Sequence, residues 1–235
     1  MRNGLANYGS PISGAVERPR GNGLRRSRFH TEKGQFAIRS ARDAADAASA
    51  LLTAVLRVGF GHLVPKPWVA SSAFRYVRAS LKPSARVFEW GAGMSTVWYD
   101  RNCAEVHAVE SNAAWRRKVE ARTRRAKVYL LKGTAYVAKI HEFPAGYFDL
   151  VSVDGFQRQE CCRAALRHLK TGGLLVLDNT DKDRTTGGDL FRADELLLSV
   201  PGLALLRFVG WAPGNFAPQE TTVCVKLPSG HWRVG

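Results

Sequence analysis

The sequence predicts a doubly wound α/β fold, with a mainly parallel sheet carrying helices on both faces, and three observations support it. From Arg86 onward, short apolar runs alternate with helix-compatible runs, the pattern of a parallel sheet with crossover helices. Acids sit at or beside the carboxyl ends of these runs, at Glu89, Glu110, Asp154 and Asp178, where open α/β sheets bind their ligands. Only Trp211 to Pro218 separates the last two apolar runs. That connection is too short for a crossover helix, so the two runs should pair antiparallel at the end of the sheet.

In chain order, residues 1–42 are rich in Arg, Gly, Asn, Ser and Pro and poor in apolar residues, which predicts a disordered basic tail. Residues 43–82 read as N-terminal helices. The first covers 43–56, alanine-rich with acids at its start and Gly59 beyond its end. Pro65 and Pro67 break the chain. The second covers 68–81, with Phe74, Val77 and Leu81 at helical spacing and Pro83 as a stop. Residues 83–235 form the main domain. Its expected strands are 86–90, 104–109, 127–131, 147–153, 173–178, 203–210 and 220–227. Its expected helices are 95–101, 112–125, 134–141, 157–170 and 189–199.

The 235 residues suffice for one substantial core. No apolar run approaches the ~20 residues of a membrane span. The first ten residues lack the apolar segment of a secretory signal. Cys103, Cys161, Cys162 and Cys224 show no metal or disulfide spacing, so reduced packing thiols and a cytoplasmic location are expected. The net charge is +15, concentrated in the tail and in a second basic run from Arg116 to Lys132. Such charge suits an acidic partner or nucleic acid. No aromatic-interleaved nucleic-acid motif accompanies it, so solvated helix faces explain it as well, and nucleic acid is not the favoured partner.

The chemistry concentrates in Val87-Phe88-Glu89-Trp90-Gly91-Ala92-Gly93-Met94-Ser95. This is a strand, a glycine turn and a helix start, and its glycines permit positive φ and close approach of a ligand to the backbone. A dinucleotide fingerprint would need a third glycine where Thr96 stands. An acid two residues before the turn suits a cationic ligand better than a pyrophosphate. The E-x-G-x-G pattern resembles motif I of the class I S-adenosylmethionine-dependent methyltransferases. FDLVSVDG at 148–155 and GGLLVLDN at 172–179 extend the resemblance over roughly residues 85–180.

That resemblance implies a Rossmann-like, seven-stranded sheet with an antiparallel last strand, and S-adenosyl-L-methionine as methyl donor. It places Glu89, Gly91, Gly93 and Ser95 around the cofactor's methionine end. It also places Glu110 and Ser111 at the ribose, about 20 residues further on, and Gly133, Thr134 and Ala135 at the adenine. Thr134 replaces the acid or polar group common there. Asp154, Asp178 and Asn179 end neighbouring strands and form the reacting end. Oxygen ligands of this kind bind Mg²⁺, and the trio is similar to the metal site of catechol-type O-methyltransferases. Alternatively, Asp154 contacts the cofactor or a substrate amine while Asp178 and Asn179 shape the pocket. The catechol-type lysine is missing: Gly155-Phe156-Gln157-Arg158 follows Asp154, and Arg158 stays protonated and cannot act as a base. The sequence lacks the [DN]-P-P-[YFW] of amino-directed nucleic-acid enzymes and the cysteine nucleophile of pyrimidine C5 methylation. The expected function is O-methylation of a small molecule. The rivals are an RNA-directed methyltransferase using the basic tail and a non-catalytic binding module of the same fold.

Overall fold

The computed structural model describes residues 27–228. Two helices, α1 (Ala41–Phe60) and α2 (Ser71–Ser80), precede an alternating series. The series is β1 (Arg86–Trp90), α3 (Met94–Asn102), β2 (Glu105–Glu110), α4 (Ala113–Glu120), β3 (Lys127–Leu130), α5 (Gly133–Ala138), β4 (Phe148–Val153), α6 (Arg158–His168), β5 (Leu169–Asp178), α7 (Asp189–Ser199), β6 (Leu203–Gly210) and β7 (Gln219–Lys226). A 3-10 turn, Lys139–Glu142, extends α5.

The strands form one seven-stranded sheet in the order β3-β2-β1-β4-β5-β7-β6. β1 pairs in parallel with both β2 and β4. The strand order reverses between them, which opens a crevice at the carboxyl ends of β1 and β4. β7 runs antiparallel to β5 and to β6, with Leu175 opposite Cys224 and Leu206 opposite Val223. The reversed strand is therefore inserted between β5 and β6, and the edge belongs to β6. β1, β2 and β4 are buried along nearly their whole length, as expected for strands covered on both faces. Phe88, Trp90, Val151 and Leu175 pack beneath α5, α6 and α7 on one face. Val87, Leu150, Leu174 and Val176 meet the α2–α3 side on the other.

Three sequence expectations change. The disorder expected through residue 42 does not hold for residues 27–42, and residues 1–26 lie outside the described residues. Lys33 reaches Glu220 at 2.5 Å, the Glu32 N–H donates to Asp181, and Ala37 is buried against Trp211 and α1. A buried carboxylate and an apolar slot thus hold a segment whose composition alone predicts a tail. α1 runs past Gly59 because Gly61, at φ 64°, supplies the left-handed cap. α4 ends at Glu120, short of the expected 125. The Asp100 carboxylate accepts the N–H groups of Arg124, Arg125 and Ala126 and draws that backbone out of the helix.

Candidate active site

The site starts at the turn after β1. Gly91 has φ 89°, and a Cβ there would lie 2.5 Å from the Asp154 carbonyl oxygen. The Gly91 backbone therefore packs on the backbone that follows β4, and the close approach it permits is to this protein's own chain. Gly93 differs: a Cβ there would meet nothing nearer than Ser95 Oγ at 3.6 Å. Of the two glycines, Gly93 is the one that leaves room for a ligand.

Below the turn, Thr96 stands where a dinucleotide fold has its third glycine, and it ties the turn to Glu89. Its hydroxyl accepts from the Gly93 N–H at 2.9 Å and donates to Glu89 Oε2 at 2.5 Å. Glu89 is fully buried, its Oε1 has no partner among the described residues, and burial pushes its pKa up to about 8. The expected cofactor anchor is thus a carboxyl beneath the loop with one unsatisfied oxygen. A buried acceptor in that state costs free energy until a donor reaches it.

A cavity of about 360 Å³ opens above the turn, lined by Gly91, Gly93, Ser95, Glu110, Asp154 and Arg158 together with Trp68, Trp115, Tyr136 and Phe156. A second, of about 570 Å³, shares Tyr136 and Phe156 with it and includes Ser111, Lys132 and Gly133. Glu110 stands between strand and helix. Its Oε1 accepts the N–H groups of Ser111 and Asn112, each at 2.7 Å, leaving Oε2 for a ligand hydroxyl. Asn112 caps α4 by accepting from the Trp115 N–H, and the Trp115 indole donates to the Ala92 carbonyl at 2.7 Å. Trp115 thereby becomes a wall of the cavity. Thr134, Ala135, Asp178 and Asn179 line neither cavity.

At the other end of the site, the structure corrects the metal expectation. Asp178 is buried, and both its oxygens are taken: Oδ1 accepts from the Thr221 hydroxyl at 2.5 Å and Oδ2 from the Gln219 amide at 2.6 Å. Burial first, and then the neighbouring Asp154, push its pKa up to about 8. Asn179 adopts φ 62° in the turn that follows, a conformation asparagine tolerates. Arg158 fills the remaining space. Its Nη2 donates to Asp154 Oδ1 at 2.9 Å, its Nη1 to the Asp178 carbonyl at 2.6 Å and its Nε to the Gly155 carbonyl at 3.0 Å. A Mg²⁺ ion needs free, ionised oxygens converging on one point. Here one carboxylate is already hydrogen-bonded by β7 and a guanidinium lies against the other. The donor set does not fit a magnesium ion.

Sequence reasoning missed Trp68, Trp115, Tyr136 and Phe156 as cavity walls, and Gln219 and Thr221 as the partners of Asp178. The only signal for Arg158 was its position near the missing catechol-type lysine. The β6–β7 hairpin loop adds no wall to this cavity: Trp211 is buried against Phe29. The second basic run is divided. Residues 121–126 lead into the amino end of β3, at the sheet edge opposite the cavities, whereas Lys132 lines the second cavity.

Comparison with known proteins agrees with this geometry. Residues 90–177 match the family described as "Methyltransferase domain". None of the curated proteins is significantly similar to the chain in sequence. Among solved structures, the O-methyltransferase TomG from Streptomyces achromogenes, in complex with S-adenosylmethionine, superposes with a TM-score of 0.60 at 16% identity. That match covers 87% of this chain and 100% of TomG. An O-methyltransferase from Bacillus cereus, in complex with S-adenosylhomocysteine, gives 0.59 at 17% identity, covering 80% of this chain and 98% of that one. The family match runs from the end of β1 to β5, and the chain shares the overall fold of these solved structures.

Proposed function

We propose that the chain is an O-methyltransferase for a small-molecule acceptor, with S-adenosylmethionine held across the two cavities. The supporting observation is the cleft at the strand-order reversal, where Gly93 leaves its surface open above a buried acid with an unsatisfied oxygen. The donor would supply an electrophilic methyl group on a sulfonium, so that the acceptor oxygen gains the methyl and the C–S electron pair stays on sulfur. Gly93 and Ser95 would border the methionine end. Glu89 works from below, fixing the turn through Thr96 and offering Oε1 to an ammonium or a bridging water. Glu110 Oε2 would take the ribose diol. Ser111 and Gly133 border the second cavity, where the adenine would lie, and Phe156, 67% exposed at the junction of the two cavities, provides a face for stacking. The acceptor would lie between Trp68, Asp154 and Arg158. The chain contributes mainly orientation and exclusion of water in such a reaction.

Residues 83–235 are the unit we assign to this chemistry, with residues 43–82 as an N-terminal helical cap. No helix among the described residues is long and apolar enough to cross a membrane. The four cysteines are unpaired and buried, which supports a reducing, cytoplasmic setting.

The test is incubation with S-adenosylmethionine and a panel of phenols, alcohols and carboxylic acids, following S-adenosylhomocysteine release and product mass. The expected result is acceptor-dependent release with a gain of one methyl on oxygen, in the presence of EDTA. Tight donor binding with no turnover across the panel would instead identify a non-catalytic module. Turnover on RNA alone, lost on deleting residues 1–42, would identify the nucleic-acid enzyme.

A further inference from the structure

We infer that Arg158 forms an oxyanion-binding site at the reacting end, and that the acceptor presents a negatively charged oxygen, a phenolate or a carboxylate, without a metal ion. This deepens the proposed function and rests on that reading of the cavity.

A guanidinium has five N–H donors in a rigid planar fork. Three of Arg158's are committed, to the Gly155 carbonyl, the Asp178 carbonyl and Asp154 Oδ1. One N–H on each terminal nitrogen is left without a partner among the described residues, and the side chain lines the cavity beside Gly93 and Ser95. The three bonds hold the fork in place before any ligand arrives, so binding an oxyanion requires little reorganisation. The α6 backbone adds to this rigidity, because the Arg158 and Gln159 N–H groups both donate to the Asp189 carboxylate.

Charge points the same way. Arg158 balances Asp154 in a 2.9 Å ion pair. Lys182, whose charge acts on Asp154, has no carboxylate within ion-pair distance among the described residues. The Asp178 carboxyl group is occupied by β7. Arg158 and Lys182 are thus the cations acting on Asp154 at this end, and Arg158 is the one that lines the cavity. An acceptor that arrives as an oxyanion needs no base, consistent with an arginine near the missing catechol-type lysine. A divalent cation would lower a hydroxyl's pKa and fix its position. In place of a cation, the two uncommitted Arg158 N–H groups would hold an acceptor oxygen that is already ionised.

The experiment titrates the whole protein, alone and saturated with S-adenosylhomocysteine, with benzoate, 4-nitrophenolate and neutral benzamide, with EDTA or Mg²⁺ present. Binding is followed by ligand-detected NMR. We expect one or both anions to bind at least about tenfold more tightly than benzamide, with no gain from Mg²⁺. The anion that wins distinguishes the carboxylate from the phenolate form. Arg158→Gln should abolish the preference and Arg158→Lys should retain part of it, both with cooperative thermal unfolding. Lys182→Ala, which removes none of the Arg158 hydrogen bonds, should weaken anion binding about two- to threefold. Equal binding of benzamide and the anions, a preference that survives Arg158→Gln in a folded variant, or binding that requires Mg²⁺ would each overturn the inference. Anion preference without S-adenosylhomocysteine binding would uphold the Arg158 site and remove the methyltransferase reading instead.

Discussion

The two ends of the cleft were built by different means. At the β1–β2 end, the residues named from the motif, Gly91, Gly93, Ser95 and Glu110, all meet at one cavity, because each sits in or next to a turn whose backbone the local sequence dictates. At the β4–β5 end, the motif also brought Asp154 and Asp178 to neighbouring strand ends, yet their state is set from elsewhere. Thr221 and Gln219 arrive from β7, more than 40 positions along the chain, and Arg158 turns back from the start of α6. The first end is a property of short-range geometry. The second is a property of tertiary contacts, and in it the same acids that suggest a metal site become a hydrogen-bonded carboxyl and an ion pair.

The largest expected effect lies where the two ends touch. Gly91→Ala would drive a Cβ into the Asp154 backbone at positive φ. It should destabilise the protein by about 3 kcal/mol, measurable by urea unfolding. A loss below 1 kcal/mol would show that the contact between the ends is not tight.

Next is Glu110→Ala at the motif end, which removes a charged acceptor from the cavity. Affinity for S-adenosylhomocysteine should fall by about ten- to a hundredfold, the range of a hydrogen bond to a charged group at about 1.5–3 kcal/mol. Unchanged affinity would confine Glu110 to its local role at the Ser111 and Asn112 N–H groups.

Asp178→Asn sharpens the contrast from the other side. It leaves one of the two β7 donors facing an amide N–H, and stability should drop by about 2 kcal/mol, with no change in any response to Mg²⁺. Activity that Mg²⁺ stimulates in the wild type and not in the variant would restore the metal site.

One effect is shared by the two ends. Glu89 and Asp178 both have pKa values of about 8 when folded, against about 4 in an unfolded chain. Between those values the folded protein holds protons that the unfolded chain has released. The stability they contribute is therefore full below about pH 4 and declines as pH rises towards about 8, by up to about 1.4 kcal/mol per pH unit for each group. Thermal melts across this range should show the slope, and Glu89→Gln should flatten part of it. A wild-type slope identical to the variant's would place the Glu89 proton elsewhere.

Much of the fold was legible because its signals are local. The alternation of apolar runs placed all seven strands, and the short 211–218 link required an antiparallel pair. Helix ends were less legible where a distant side chain decides them, as when Asp100 stops α4 by binding the N–H groups of residues 124–126. The order of residues 27–40 was invisible for the same reason: the buried acid that receives Lys33 is Glu220, on the reversed strand. In the site, acids at strand ends can be located from sequence, but the donors that claim their oxygens cannot, because β7 enters the sheet out of chain order.

The most direct test of the account is calorimetric titration of S-adenosylhomocysteine into the wild-type protein and into Gly93→Ala, both in EDTA. Saturable one-to-one binding is expected for the wild type. At least about tenfold weaker binding is expected for Gly93→Ala at an unchanged melting temperature, since the added methyl group enters open cavity and not packed backbone. No binding to the wild type, or equal binding to both proteins, would contradict a donor site above the Gly91–Ser95 turn.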